Sequence, residues 1–172
     1  MFALRAGFAA APLLHAHGVI YSGTMQQFEI KPFFGMGPIK LGSAYTDVES
    51  VLGSPVSKVK QDETTQYHYK AFCIHFNDAG NVEFIAATLD PDYEINFLEI
   101  DPLRTPASEV IDRVSGSYRF DEDDWELGYS YIFQDIQVCF YRPTIPENDD
   151  DTDGKFFEVV SVAEKGYWQQ NA

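Results

Sequence analysis

The sequence predicts an α+β fold: two tandem helix-plus-antiparallel-sheet repeats sharing one sheet, with both helices on one face. Three observations predict it. The chain of 172 residues repeats at a spacing of 62, as Leu41/Leu103, Ser43/Thr105, Val48/Val110 and Leu52/Val114, and self-similarity of this kind marks copies of one supersecondary unit. Each copy holds a single stretch with apolar residues at helical spacing: Val48, Val51 and Leu52 in the first, Val110 and Val114 in the second. The remainder is rich in strand formers, with 14 Phe and 10 Tyr. One helix cannot cover a three- or four-stranded sheet alone, so stacking two copies is the direct way to bury a common core.

Residues 25–168 read as a single domain of two repeats, about 25–90 and 91–168, followed by a tail at 169–172. Residues 1–24 are small and nearly uncharged and read as an extension, disordered or not native, with Met25 as the natural start. A signal peptide and a structured segment are the alternatives. In the first repeat, 25–30 reads as a strand and 33–38 as a glycine-broken turn. Ser43 is placed to cap a helix over 44–52, because its side-chain oxygen accepts from amides that the first turn leaves free. Asp47 lies where the helix dipole favours negative charge, and Gly53 then Pro55 stop the helix. Residues 56–65 are polar and suit a short edge strand and loop. Strands follow at 65–70, 72–76 and 82–88; Phe72, Ile74 and Phe76 share one face and Cys73 and His75 the other. Asn77-Asp78-Ala79-Gly80 between them is a tight turn.

The second repeat runs in the same order: a strand at 93–100, Thr105 as cap, a helix over 106–114 stopped by Gly116, then strands around 129–131, 136–140 and 155–163. Where the first copy turns tightly, the second carries the long acidic loop 141–154.

Composition limits the function. A net charge of −15 disfavours nucleic acid and anionic membrane as partners and makes a basic protein the natural complement. No apolar run approaches a membrane span. Two cysteines, Cys73 and Cys139, sit within apolar strand runs and read as buried free thiols rather than a disulfide framework.

Leu41-Gly42-Ser43, Leu52-Gly53-Ser54-Pro55 and Phe76-Asn77-Asp78-Ala79-Gly80 resemble the signature of the β-lactamase inhibitor proteins and the related small outer-membrane assembly lipoproteins. The runs 28–42 and 161–168 look more like a group of small bacterial immunity-like proteins. The resemblance implies tandem α/β repeats, a cytoplasmic setting and target binding on an open sheet face. It carries over no individual contact residue.

For chemistry, Asp149, Asp151 and Asp153 before Gly154 match the first half of a calcium loop. The match fails further on, since Val160 stands where a bidentate Glu is expected and Glu158 falls two residues short. Cys73, His75 and Cys139 offer three metal ligands at best, without a closely spaced second pair. There is no nucleophile elbow and no phosphate-cradling loop. The reading is of a protein that is not an enzyme and requires no cofactor or metal. Two acidic runs fall in the second repeat, Asp121, Glu122, Asp123 and Asp124, and Asp149, Asp150, Asp151 and Asp153; Trp125, Tyr129 and Tyr131 lie near the first. Acid beside aromatic rings suits a basic protein partner, because charge speeds encounter and buried rings supply affinity. These eleven residues are therefore the expected partner-binding set, in an immunity-type inhibitor that occludes a basic toxin or enzyme. A cell-envelope assembly or scaffold protein and a calcium-dependent protein are the alternatives, and pairing of two copies through an exposed strand edge is open.

Overall fold

In this computed structural model residues 25–169 are described, apart from 62 and 149; the expected extension over 1–24 and the last three residues of the tail lie outside the described residues. The chain is α+β, dominated by strands, with two helices. A seven-stranded antiparallel sheet contains β4 (Ser57–Gln61), β5 (Thr64–His68), β6 (Phe72–Phe76), β7 (Val82–Thr88), β9 (Ser130–Phe133), β10 (Val138–Tyr141) and β11 (Val159–Ala163), in the order β4-β5-β6-β7-β11-β10-β9. The two halves of the chain meet where β7 pairs with β11, Ile85 opposite Val162.

A second, four-stranded sheet corrects the expectation that all strands would share one. It contains β1 (Gln26–Lys31), β2 (Gly35–Met36), β3 (Ile39–Lys40) and β8 (Tyr93–Asn96), in the order β3-β2-β1-β8. Here β1 and β8 run parallel, Phe28 opposite Ile95. Phe28, Phe72 and Tyr93 meet with ring centroids 5.0–5.4 Å apart, which joins the small sheet to the large one. Burial of a phenylalanine ring contributes about 2 kcal/mol, so Phe28 and Phe72 together outweigh the few backbone bonds at this corner.

Helices α1 (Tyr45–Leu52) and α2 (Ala107–Ser115) place Val48, Ala107, Val110 and Val114 in one core with Phe72, Ile74, Phe76, Phe140 and Val160. Val51, expected to join them, is exposed. Neither expected cap forms. The Ser43 hydroxyl donates to Lys40 O at 2.7 Å, Ala44 takes the cap position, and the Asp47 carboxylate accepts from the Ala44 N–H at 3.2 Å. Thr105 is drawn into the preceding turn, its N–H donating to Asp101 O at 2.9 Å, and Pro106 stands at the cap. Gly53 does end α1 with φ +77°, a conformation natural to glycine.

Several expected strands are shorter than read; that at 155–163 begins only at Val159. The 93–100 run bends at Leu98 and Glu99, both at positive φ, and closes as a small loop between Phe97 and Ile100. The 136–140 run starts at Val138, because Gln137 turns at φ +51° and its buried amide donates to Gln134 O at 2.7 Å. The Asn77–Gly80 turn forms as expected: Asn77 Oδ1 accepts from the N–H groups of Ala79 and Asn81, each at 3.1 Å.

The large sheet's other face is not open at its centre. Cys73, Ala86, Ser161 and Cys139 form one row across β6, β7, β11 and β10, and all four are buried. Tyr167 stacks on Phe84 at 5.2 Å and Trp168 meets the same ring edge-on. The Trp168 N–H donates to Gln137 Oε1 at 3.4 Å, which holds the C-terminal segment against this face. What remains exposed or half-exposed on this face lies at its two ends, with Val59, Gln66 and His68 on β4–β5 and Ile132 and Tyr141 on β9–β10. Burial pushes both thiols up to about 12. Iodoacetamide at pH 8 is therefore expected to leave Cys73 and Cys139 unmodified in the native protein and to label both in denaturant; mass spectrometry reads the difference.

Candidate protein-interaction face

Two loops at the β9–β10 end of the large sheet carry the acidic runs. The first, 121–129, is built by its own carboxylates. Asp121 Oδ1 accepts from the Asp123 N–H at 3.1 Å and Oδ2 from Gln134 Nε2 at 2.9 Å. Asp124 Oδ1 accepts from the Glu126 N–H at 2.8 Å, and Glu126 accepts from the Ser130 hydroxyl at 3.3 Å. In the second loop Asp151 has the equivalent role, accepting from the N–H groups of Glu147 at 3.0 Å and Asp153 at 2.9 Å. Those two backbone donors, Glu147 first, hold its carboxyl below the usual aspartate range.

Arg142, directly after β10, joins the loops. Its N–H donates to Tyr129 O at 2.9 Å, Nε to Gly128 O at 2.8 Å and Nη1 to Gly154 O at 2.8 Å. The two carbonyls that meet the guanidinium belong to glycines at positive φ. Conformation favours glycine at both, and at Gly154 space requires it too: a Cβ there would strike Thr144 O, whereas one on Gly128 would meet only the movable end of the exposed Ile145 side chain. One guanidinium thus fixes both acidic loops, using charge-assisted hydrogen bonds, which are the strong kind.

The expected site residues therefore divide. Asp121, Asp124 and Asp151 hold the loops in shape. Among the described residues the carboxylates of Glu122, Asp123, Asp150 and Asp153 have no hydrogen-bond or ion-pair partner and face solvent. Trp125 is 81% exposed, and Tyr129 is exposed near it in sequence. Tyr131 instead packs edge-on to Phe120 at 5.1 Å and Phe157 at 5.8 Å, so its ring belongs with the core. Asp149 lies outside the described residues.

Sequence reasoning missed Leu127 and Ile145, which add exposed apolar surface to these loops, and Arg142, which links them. Gly128 and Gly154 were the available signal, since glycine tolerates the positive φ that both positions adopt. Among the described residues no group of three or more His, Cys, Asp or Glu side chains could hold a metal ion, and no helix is long and apolar enough to cross a membrane. Compared with known proteins, the chain matches no family model, no curated protein and no solved structure.

Proposed function

We propose that this chain is a non-enzymatic, cytoplasmic binding protein, an immunity-type inhibitor that occludes a basic toxin or enzyme with the acidic, aromatic face of loops 121–129 and 142–155. One observation carries the reading: Arg142 ties both acidic loops into a single surface that displays Trp125 and at least four uncommitted carboxylates. Such a surface recruits a cationic partner by charge and retains it by burying a ring. In this proposal residues 25–90 and 91–168 are two copies of one unit, and the second copy has lengthened its hairpin loops. Contact through the sheet's second face is left to its two ends, since Tyr167 and Trp168 cover the middle.

The full chain, immobilised and exposed to lysate of its source, is expected to retain a basic protein at low salt. Trp125→Ala is expected to weaken that capture about 10- to 100-fold, the range of an interface hot spot, with an unchanged melting temperature because the side chain is exposed. Retention of the same partner with undiminished affinity by Trp125→Ala would remove this face from the account.

A further inference from the structure

At the opposite end of the large sheet, three aromatic rings wall a small cavity. Tyr67 on β5 and Phe76 on β6 are buried side by side, and Tyr45, at the start of α1, reaches them from above while half exposed. Ring centroids lie 4.8 Å (Tyr67–Phe76), 6.3 Å (Tyr45–Tyr67) and 6.4 Å (Tyr45–Phe76) apart, with planes inclined at 58, 48 and 76°. Rings inclined in this way form walls rather than a stack. The cavity they border is about 260 Å³ and is completed by Lys60, Glu63, Thr65, Asn77, Asp78 and Gly80.

The chemistry of this lining selects a cation. Aromatic faces are electron-rich, and a cation placed over them is attracted by the ring quadrupole. The fold already uses one of these rings so: Lys58 Nζ stands 4.3 Å from the centroid of Tyr67. Glu63 and Asp78 bring two carboxylates to the cavity against the ammonium of Lys60, while Lys58, beside the Tyr67 ring, is paired with Glu49 at 2.7 Å. Neither Glu63 nor Asp78 forms an ion pair among the described residues. The volume admits a methylated ammonium head or the end of a lysine side chain and lies below the usual range of cofactor pockets.

We propose that this cavity is a binding site for an alkylammonium group, with Tyr45, Tyr67 and Phe76 as the aromatic walls and Glu63 and Asp78 as the anionic rim. The site is separate from loops 121–129 and 142–155 and does not depend on the function proposed for them. Lys60 is the group a ligand must displace or share the rim with, so its removal strengthens binding.

The test is titration of the full chain, followed by NMR at constant ionic strength. Tetramethylammonium and N-acetyl-lysine methylamide are the two probes, and tert-butanol is the uncharged control. Saturable shifts confined to residues around Tyr45, Thr65, Asn77 and Gly80 are expected with a cation and absent with tert-butanol. Saturation by tetramethylammonium alone assigns the site to free quaternary amines; saturation by the lysine derivative as well assigns it also to a lysine side chain carried by a partner. Tyr45→Ala is expected to weaken binding about 10-fold and Tyr45→Phe to preserve it. Glu63→Gln is expected to weaken it about threefold and Lys60→Ala to strengthen it about twofold, as charge at a solvated rim allows. All four replace residues on the exposed side of the cavity, so the fold is retained and the spectrum reports it. No saturable shift, an equal response to tert-butanol, or binding indifferent to Tyr45→Ala would overturn the assignment.

Discussion

Arg142→Ala is expected to lower the stability of this protein by about 3 kcal/mol, on the scale of buried hydrogen bonds that involve a charged donor. The side chain makes two such bonds, to Gly128 O and Gly154 O at 2.8 Å each, both in part-buried settings. Truncation removes the donor and leaves two carbonyls in need of water, in loops already fixed by tight glycine turns. Its guanidinium also lies 5.8 Å from the Phe157 ring, a lesser contact. The conservative Arg142→Lys should recover only part of the loss, because an ammonium cannot bridge two carbonyls with the fixed fork of a guanidinium. Chemical denaturation measures the stability change. Amide exchange should show new opening in 121–129 and 142–155 while β5–β7 stay protected. A loss below about 0.5 kcal/mol, the size typical of a surface substitution, would mean that the two loops are held by something other than this clamp.

Acid is expected to destabilise the protein through His75, and the wild type minus a His75→Phe variant isolates the effect. The imidazole lies on the Phe84 ring at 4.6 Å, with Nδ1 3.3 Å from the Tyr167 hydroxyl and Nε2 buried without a partner among the described residues. Burial, with a smaller contribution from His68, lowers its pKa from 6.5 to about 4. The folded value lies below the unfolded one, so the unfolded chain binds the proton more readily throughout the window between them. Stability is then fully present above pH 6.5 and declines as the pH falls toward 4, at about 1.4 kcal/mol per pH unit. Over the whole window this amounts to about 3 kcal/mol, after which the contribution levels off. His75→Phe cannot titrate, so its unfolding free energy should fall by that much less between pH 7 and pH 4. Parallel pH profiles for the two proteins would show that the imidazole is solvated in the folded state.

Local patterning carried much of this fold, and long-range contacts carried what it lacked. The β6 strand was legible because Phe72, Ile74 and Phe76 alternate with Cys73 and His75, and the turn after it because Asn77 and Gly80 have intrinsic reasons to turn. Helix α1 was legible from Val48, Leu52 and Gly53. The caps were misread because the Ser43 hydroxyl had a nearer acceptor in Lys40 O, and because Pro106 displaced Thr105 from the cap. The parallel pairing of β1 with β8 joins segments some 67 residues apart, and neither segment carries a local mark of its partner. The same is true of Trp168 at Gln137 and of Arg142 at Gly154. At the candidate face the acids and Trp125 were legible as a charge run beside a ring. Their division into loop-forming and solvent-facing carboxylates was not, since it depends on which amide each side chain meets.

The measurement that tests the central claim most directly is the rate of association between the full chain and its captured basic partner, followed from about 0.01 to about 0.5 M salt. If the acidic face recruits that partner, the association rate falls at least tenfold over this range while dissociation changes little. Charge reversal at Glu122 and Asp150 should flatten the dependence. An association rate indifferent to salt, or a steep dependence that survives the charge reversal, would contradict the account.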